Sequence, residues 1–450
     1  MNETNLRPLL HITGDNGWIN DPNGLVYFKG KYHVFYQYYP NDTHWGPMHW
    51  GHKISTDLIH WEKMPIALFP DDETGCFSGS AIVKDDKLYL IYTGFYENEG
   101  GDTIRQKQKL AYSEDGIAFK KIGIIIDESN LPKGYSPIDV RDPYVYKKDD
   151  KFYCIIACKK IDGKGRILLF SSSDLMKWKF VSDIFDKDSL GTMIECPAYN
   201  EKLGLLIFSE QFQPSENNIH LNIHTSRWKT GRINYKTGKF EEIESGICDY
   251  GFDFYAPTLF YNADVMIGWL NMWDRNIPSE KYGFAGMLTI PRNVSIINNK
   301  LVQTPIYEGE LIESTQINNN YFNKLKSGMI SLDIEKLEKF EIKLRKNINC
   351  CTVFRLLNDE WIFDRSQSGE IIVGKEKDED SLCGIRRMPY IKQSNHKILI
   401  VIDEFSVEIF VDGRSLSSTI YPDQDAIDFE IKVIAEHCLL ELRKNERNSY

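Results

Sequence analysis

A hairpin-like unit recurs five times in the first three hundred residues of this chain, and an internal period restricts the fold more than any single motif does. Each unit is a short apolar strand, a polar or glycine-containing turn, and a second strand rich in aromatic residues. The pairs are 25–28 with 32–36, 81–83 with 88–92, 144–146 with 152–156, a shorter 197–199 with 205–208, and 258–261 with 265–269. Alternation, β-branched and aromatic content, and turns such as Lys84-Asp85-Asp86-Lys87 predict strands and not helices.

A second marker keeps the same beat. Ser55-Thr56-Asp57-Leu58-Ile59-His60-Trp61, Ser113-Glu114-Asp115-Gly116-Ile117-Ala118-Phe119 and Ser172-Ser173-Asp174-Leu175-Met176-Lys177-Trp178 each read Ser-x-Asp-x-x-x-aromatic, with starts 58 and 59 residues apart. Units of this size with several short strands predict the blades of a propeller, small sheets packed radially about an axis. The expected fold is all-β: a five-bladed β-propeller over residues 1–310, a linker at 311–325, and a C-terminal β-sandwich over 326–450. The sandwich is expected from alternating stretches such as Phe340-Glu341-Ile342-Lys343-Leu344 and Val407-Glu408-Ile409-Phe410-Val411, with Asp412-Gly413 as a hairpin turn. Two stacked sandwiches are the alternative, but they do not explain the period.

Composition narrows the function. At 450 residues and 42% hydrophobic the chain supports a large core, and a net charge of -11 argues against nucleic acid as the main partner. No basic segment followed by an apolar run opens the chain, and no stretch of eighteen apolar residues occurs, so a cytoplasmic protein without a membrane span is expected. The nine cysteines lack regular spacing and are expected to be reduced and mostly buried, Cys154 and Cys158 as core. His220 and His224 alternate on one strand and are read as part of a surface face.

Aligning the units on their first strands places one notable residue at the same point each time. Asp21-Pro22 precedes the first, Asp142-Pro143 the third, Glu195-Cys196-Pro197 the fourth and Tyr255-Ala256-Pro257 the fifth, with Phe77-Ser78-Gly79 in the second. In a propeller such positions are related by rotation, so two Asp and one Glu converge at one end of the axis. Clustered carboxylates raise one another's pKa at a cost in stability, which favours function over the plainer reading that each caps a turn before proline. Such a trio suits glycoside hydrolysis, one carboxylate attacking the anomeric carbon or activating water while a protonated partner serves the leaving oxygen. Calcium is the rival use, but the dense Asp/Asn spacing of calcium loops is absent.

The sequence at these residues resembles glycoside hydrolase family 32, the β-fructofuranosidase or invertase family. The matching stretches, in order, are Trp18-Ile19-Asn20-Asp21-Pro22-Asn23-Gly24, Trp45-Gly46-Pro47-Met48-His49-Trp50-Gly51-His52, Cys76-Phe77-Ser78-Gly79, Arg141-Asp142-Pro143, Glu195-Cys196-Pro197, Asp253-Phe254-Tyr255-Ala256-Pro257 and Ser406-Val407-Glu408-Ile409-Phe410. The resemblance implies a propeller followed by a sandwich. It implies Asp21 as nucleophile, Glu195 as general acid and then base, and Asp142 as stabiliser of the transition state, in a retaining mechanism whose nucleophile and acid lie about 5 to 5.5 Å apart. It implies substrate contacts at Asn20, Gln37, Trp45, Phe77, Ser78, Arg141, Tyr255 and Trp273, of which Trp45 and Trp273 could equally be core. Arg141 is expected to help keep Asp142 ionised, and His49 and His52 are assigned to packing or support.

The implied substrate is a small saccharide, sucrose or sucrose 6-phosphate, with no cofactor and no metal; the oligomeric state is left open. The alternatives are an exohydrolase of short fructans, a fructosyltransferase, or a non-catalytic carbohydrate-binding propeller. Ile194 and Gly14-Asp15-Asn16 depart from the family's usual residues and bear on the leaving-group side.

Overall fold

The computed structural model describes residues 6–98, 104–185, 191–213, 221–374 and 384–445, and over these the chain is all-β apart from two short 3-10 turns. Each predicted hairpin is a pair of adjacent antiparallel strands. The five hairpins open five small sheets, whose first strands are Gly17–Phe28, Gly75–Lys84, Tyr135–Lys148, Met193–Asn200 and Tyr255–Leu259. Those first strands touch one another in a closed cycle, the fifth returning to the first. The short strand Phe284–Ala285 leaves the fifth sheet's run of chain and pairs in parallel with Gly17 and Trp18 of the first sheet.

The repeated heptad has one structural meaning in all three copies. Ser55 Oγ accepts from the Leu58 N–H at 2.8 Å, and Asp57 Oδ1 accepts from the N–H groups of Ile59 and His60, both at 2.8 Å. Ser113 with Asp115, and Ser172 with Asp174, repeat the scheme. The residue after the aspartate is left-handed each time, at φ 67° in Leu58, 81° in Gly116 and 73° in Leu175. Glycine takes that conformation freely, whereas the two leucines are held in it by their burial. The heptad is the turn out of the third strand of a sheet, and its period is the period of the sheets.

Residues from 310 onward form two six-stranded antiparallel sheets that share one apolar core. Ile330, Leu332, Ile400 and Ile409 come from one sheet and Phe340, Phe354, Trp361 and Ile431 from the other, all 2% exposed or less. Residues 311–325, expected as a linker, carry the strands Glu310–Gln316 and Asn319–Lys324, each an outer strand of one six-stranded sheet. Their largely exposed side chains carry no core pattern, and edge pairing is what orders them. The eight cysteines among the described residues are unpaired thiols.

Candidate active site

Every first strand is irregular where its notable residue lies. The register slips between Ile19 and Pro22, Phe77 and Gly79, Glu195 and Ala198, and Tyr255 and Thr258, and between Ile155 and Ala157 opposite the Asp142 segment. A bulge turns a side chain out of the alternating pattern, which is how five sheets direct residues to one place. Asp142, Cys196 and Ala256, each followed by proline, hold φ of 61°, 49° and 46°. A residue before proline is ordinarily driven to extended backbone, so these three positions are strained and must be held by their surroundings. Their N–H groups show how: Asp142 N donates to Thr93 Oγ1 at 3.0 Å, Cys196 N to Asp142 Oδ2 at 2.9 Å, and Ala256 N to Ser209 Oγ at 3.1 Å.

The three acids meet. Asp21 Oδ2 accepts from Ser78 Oγ at 2.6 Å and from the Cys196 thiol at 3.4 Å, and its Oδ1 accepts from Asn20 Nδ2 at 3.1 Å. The same thiol lies 3.6 Å from Asp142 Oδ2. Arg141 donates to Glu195 Oε1 from Nε at 3.1 Å and from Nη2 at 2.9 Å, and the Tyr255 hydroxyl donates to Oε2. A cavity of about 10 Å³, lined by Pro22, Gly79, Asp142, Pro143, Cys196 and Pro197, adjoins them and has room for about one water.

The remaining expected contacts surround this cluster. Asn20 is oriented by Trp18 Nε1, which donates to its Oδ1 at 2.8 Å, and Trp18 stacks on Trp273 at 5.7 Å. Gln37 is buried and donates to the Cys76 carbonyl at 3.0 Å, beside Phe77 in sequence. Phe77 stacks on Phe95 at 4.5 Å and takes the edge of Trp45 at 5.9 Å. Trp45 is 47% exposed and therefore not core, whereas Trp273 belongs to an apolar cluster with Trp18, Tyr255 and Trp269. His52 packs on Phe35 at 4.2 Å and is hydrogen-bonded to His33, away from the acids.

Burial raises the Asp21 carboxyl above its ordinary value, against the pull of the Ser78 hydrogen bond and with a further push from Glu195. Burial also takes Asp142 up to about 7, with Arg141 opposing and the charges of Glu195 and Asp21 adding. Arg141 was expected to keep Asp142 ionised, but its hydrogen bonds go to Glu195, and on Asp142 burial outweighs its charge. At Glu195 burial again works upward, but the Arg141 charge and the Tyr255 and Arg141 hydrogen bonds outweigh it and hold the carboxyl low. By contrast the acids Asp71, Asp72 and Glu73 elsewhere are met by Lys109 and Lys121, at 2.6 Å from Lys109 to Glu73 and from Lys121 to Asp71. Three acids against one guanidinium make the first cluster the candidate site.

Two models match the chain: the glycosyl hydrolases family 32 N-terminal domain over residues 11–305 and the family 32 C-terminal domain over residues 300–439. The chain belongs to glycosyl hydrolase family 32. It is 35% identical to a sucrose-6-phosphate hydrolase of Zymomonas mobilis, over 93% of this chain and 88% of that one. A sucrose-6-phosphate hydrolase structure from Lactobacillus gasseri superposes with a TM-score of 0.88 at 25% identity, covering 98% of this chain and 93% of that chain. The Bombyx mori GH32 beta-fructofuranosidase superposes with a TM-score of 0.84 at 29% identity, over 98% of this chain and 94% of that one, and a variant of it has been solved in complex with sucrose.

Family membership fits the geometry built above. Sequence reasoning passed over three residues that surround the acids. Cys196 was quoted within a motif, but only the bulge shows its thiol touching two carboxylates. Gln106 Oε1 accepts from the Val140 N–H at 3.0 Å and lies 3.4 Å from Arg141 Nη1, which is visible only when two sheets are side by side. His224, read as surface, is 4% exposed and lies 5.3 Å from the Tyr255 ring, because its strand is covered by the fifth sheet; its alternation partner His220 lies outside the described residues.

Proposed function

We propose that this family 32 glycosidase is a retaining β-fructofuranosidase in which Asp21 is the nucleophile, Glu195 the general acid and then base, and Asp142 the stabiliser of the transition state. The observation that carries the reading is the meeting of acids from three first strands around one thiol and one guanidinium. The finer fold we infer is the five-bladed propeller, from the closed cycle of first strands, with the two six-stranded sheets as a sandwich behind it.

Asp21 attacks the anomeric carbon of a terminal fructosyl unit while Glu195 protonates the departing oxygen, giving a fructosyl ester on Asp21. Glu195 then deprotonates water, which cleaves the ester and restores the carboxylate with configuration retained. Asp142 accepts hydroxyl hydrogens of the sugar, an interaction that strengthens as the ring becomes cationic. Before sugar enters, the bias is reversed: Asp21 is pushed toward its acid form and Glu195 toward its anion. Sugar that engages Arg141 relaxes its hold on Glu195, and the proton moves to where departure needs it.

Asn20, Ser78 and Gln37 present the donors and acceptors of the fructosyl pocket, and Phe77, Trp45 and Trp273 its apolar faces. The substrate is sucrose or sucrose 6-phosphate, in keeping with the Zymomonas mobilis and Lactobacillus gasseri relatives. A cytoplasmic location accords with that reading, and no helix among the described residues is long and apolar enough to cross a membrane. The test is kcat/KM for purified protein on sucrose, sucrose 6-phosphate, raffinose and a short inulin, side by side. The two sucroses are expected to lead; a preference for inulin makes the enzyme a fructan exohydrolase, and no turnover on any returns it to a binding module.

A further inference from the structure

Residues 249–253 join the fourth small sheet to the fifth, yet their backbone N–H groups at Tyr250, Phe252 and Asp253 donate to the C-terminal sheets. Tyr250 N donates to the Ser415 carbonyl and Phe252 N to the Ser417 carbonyl, both at 2.8 Å, while Ser417 N donates to Asp249 Oδ1 at 2.8 Å. The segment thus lies alongside the edge strand Arg414–Thr419. Gly251 permits the approach, since a Cβ there would meet Ser417 N and O at 2.2 Å.

The segment ends on Asp253, 1% exposed, with both oxygens taken. Oδ2 accepts from Thr419 N and Thr419 Oγ1, each at 2.8 Å, and from Arg365 Nη1 at 2.5 Å; Oδ1 accepts from Arg275 Nη1 at 2.6 Å. Two residues on, the Tyr255 hydroxyl meets Glu195, and the next residue is the left-handed Ala256. A strained backbone keeps its place only when its neighbours are over-determined, and Asp253 is where that determination enters.

We propose that Asp253 is a positioning residue, through which Arg365 and Thr419 of the C-terminal sheets set where the Tyr255 hydroxyl meets Glu195. This rests on the reading of Glu195 as acid and base. Glu195 is faced by Arg141, Asp142, Asp21, Cys196, Tyr255 and His224. Of these only Tyr255 lies on the strand Tyr255–Leu259 that follows Asp253, so a disturbance at Asp253 reaches Glu195 through that hydroxyl.

The test uses full-length protein. Thr419→Val keeps volume and backbone N–H but removes one hydrogen bond to Asp253, and Asp253→Asn keeps shape but removes the charge between two guanidiniums. Asp403→Asn is the comparison: it joins the same C-terminal sheets to Leu9, Leu10 and His11 and has no contact with Glu195. Thr419→Val and Asp253→Asn are expected to lower kcat on sucrose about tenfold with KM nearly unchanged, within the range that sub-ångström misplacement costs. They also move upward the basic limb of the kcat profile, which reports the sugar-bound enzyme in which Glu195 holds the proton, the direction in which losing the Tyr255 hydrogen bond moves Glu195. Asp403→Asn lowers Tm and leaves the limb in place. Should Asp253→Asn fail to fold, Thr419→Val decides, and its shift is not additive with that of Tyr255→Phe. If Tyr255→Phe moves the limb while Thr419→Val leaves it in place, the proposal is overturned and the site reading stands. If Tyr255→Phe itself leaves the limb unmoved, the reading of Glu195 falls and this proposal with it.

Discussion

Arg141 places both Nε and Nη2 on a single oxygen of Glu195, at 3.1 and 2.9 Å, and leaves the other oxygen to Tyr255. A guanidinium spread over both oxygens would leave neither exposed to substrate. Here the doubly bonded Oε1 is the anchored end, and Oε2 is the end that meets a neutral hydroxyl.

Arg141→Gln is accordingly expected to release Glu195 upward in pKa. The basic limb of kcat on sucrose, which reports the sugar-bound enzyme, rises, since the group that must be protonated keeps its proton to higher pH. Activity falls about 10²-fold or more from lost orientation. A pH series on the purified variant reads both, and an unmoved limb means that Arg141 does not tune this acid.

Asp21→Ala is expected to abolish sucrose cleavage, by about 10⁴-fold or more, as removal of a nucleophile does in other hydrolases. Its Tm is expected to equal or exceed that of the parent, because the substitution removes an acid crowded by Glu195 and pushed up by burial. Turnover by initial rate and Tm by calorimetry decide together. Unchanged turnover removes Asp21 from the mechanism.

The elevated carboxyl of Asp142 makes a prediction about stability. Its folded-state value of about 7 lies above the ordinary 3.8, so between those limits the native state binds the proton more tightly than the unfolded chain. Stability contributed by this group is full at low pH and is lost as pH rises toward 7. Asp142→Asn is expected to flatten the fall in Tm between about pH 4 and 7 by the equivalent of a few kcal/mol at most. Asp21 acts in the same direction and Glu195 in the opposite one, so the difference between parent and variant curves is the measurement.

Two tryptophans of one motif separate binding from folding. Trp45, 47% exposed against the edge of Phe77, has little burial to lose, so Trp45→Ala is expected to raise KM several-fold with kcat and Tm nearly unchanged. Trp50 is fully buried and donates to the Phe77 carbonyl at 3.1 Å; Trp50→Ala is expected to cost about 3–5 kcal/mol of stability. Denaturant melts and steady-state kinetics on both variants check the contrast.

The strands were legible because their signals are local. Alternation, turn residues and the Ser-x-Asp heptad act within a few residues, and each heptad is a turn closed by its own side chains. The acids in register were legible for the same reason: aligning repeats needs only the repeat. What escaped was contact between sheets. His224 looks like one side of an exposed strand until the fifth sheet covers it. The strands at 310–324 look like a linker until two edges accept them, and the partner of Arg141 could be read as its neighbour Asp142 until Glu195 arrives from the next sheet.

By itself, then, the order of residues determined an all-β chain of five small sheets followed by two larger ones, and put an acid at a bulge in three of the five. Only the tertiary structure decided which groups share a proton and which hold it back. Burial, the reach of Arg141 across to Glu195, the thiol between Asp21 and Asp142, and the grip of the C-terminal sheets on Asp253 are distances between residues far apart in the chain. Electrostatic and hydrogen-bond energies depend on those distances and on the exclusion of water, neither of which a local pattern encodes.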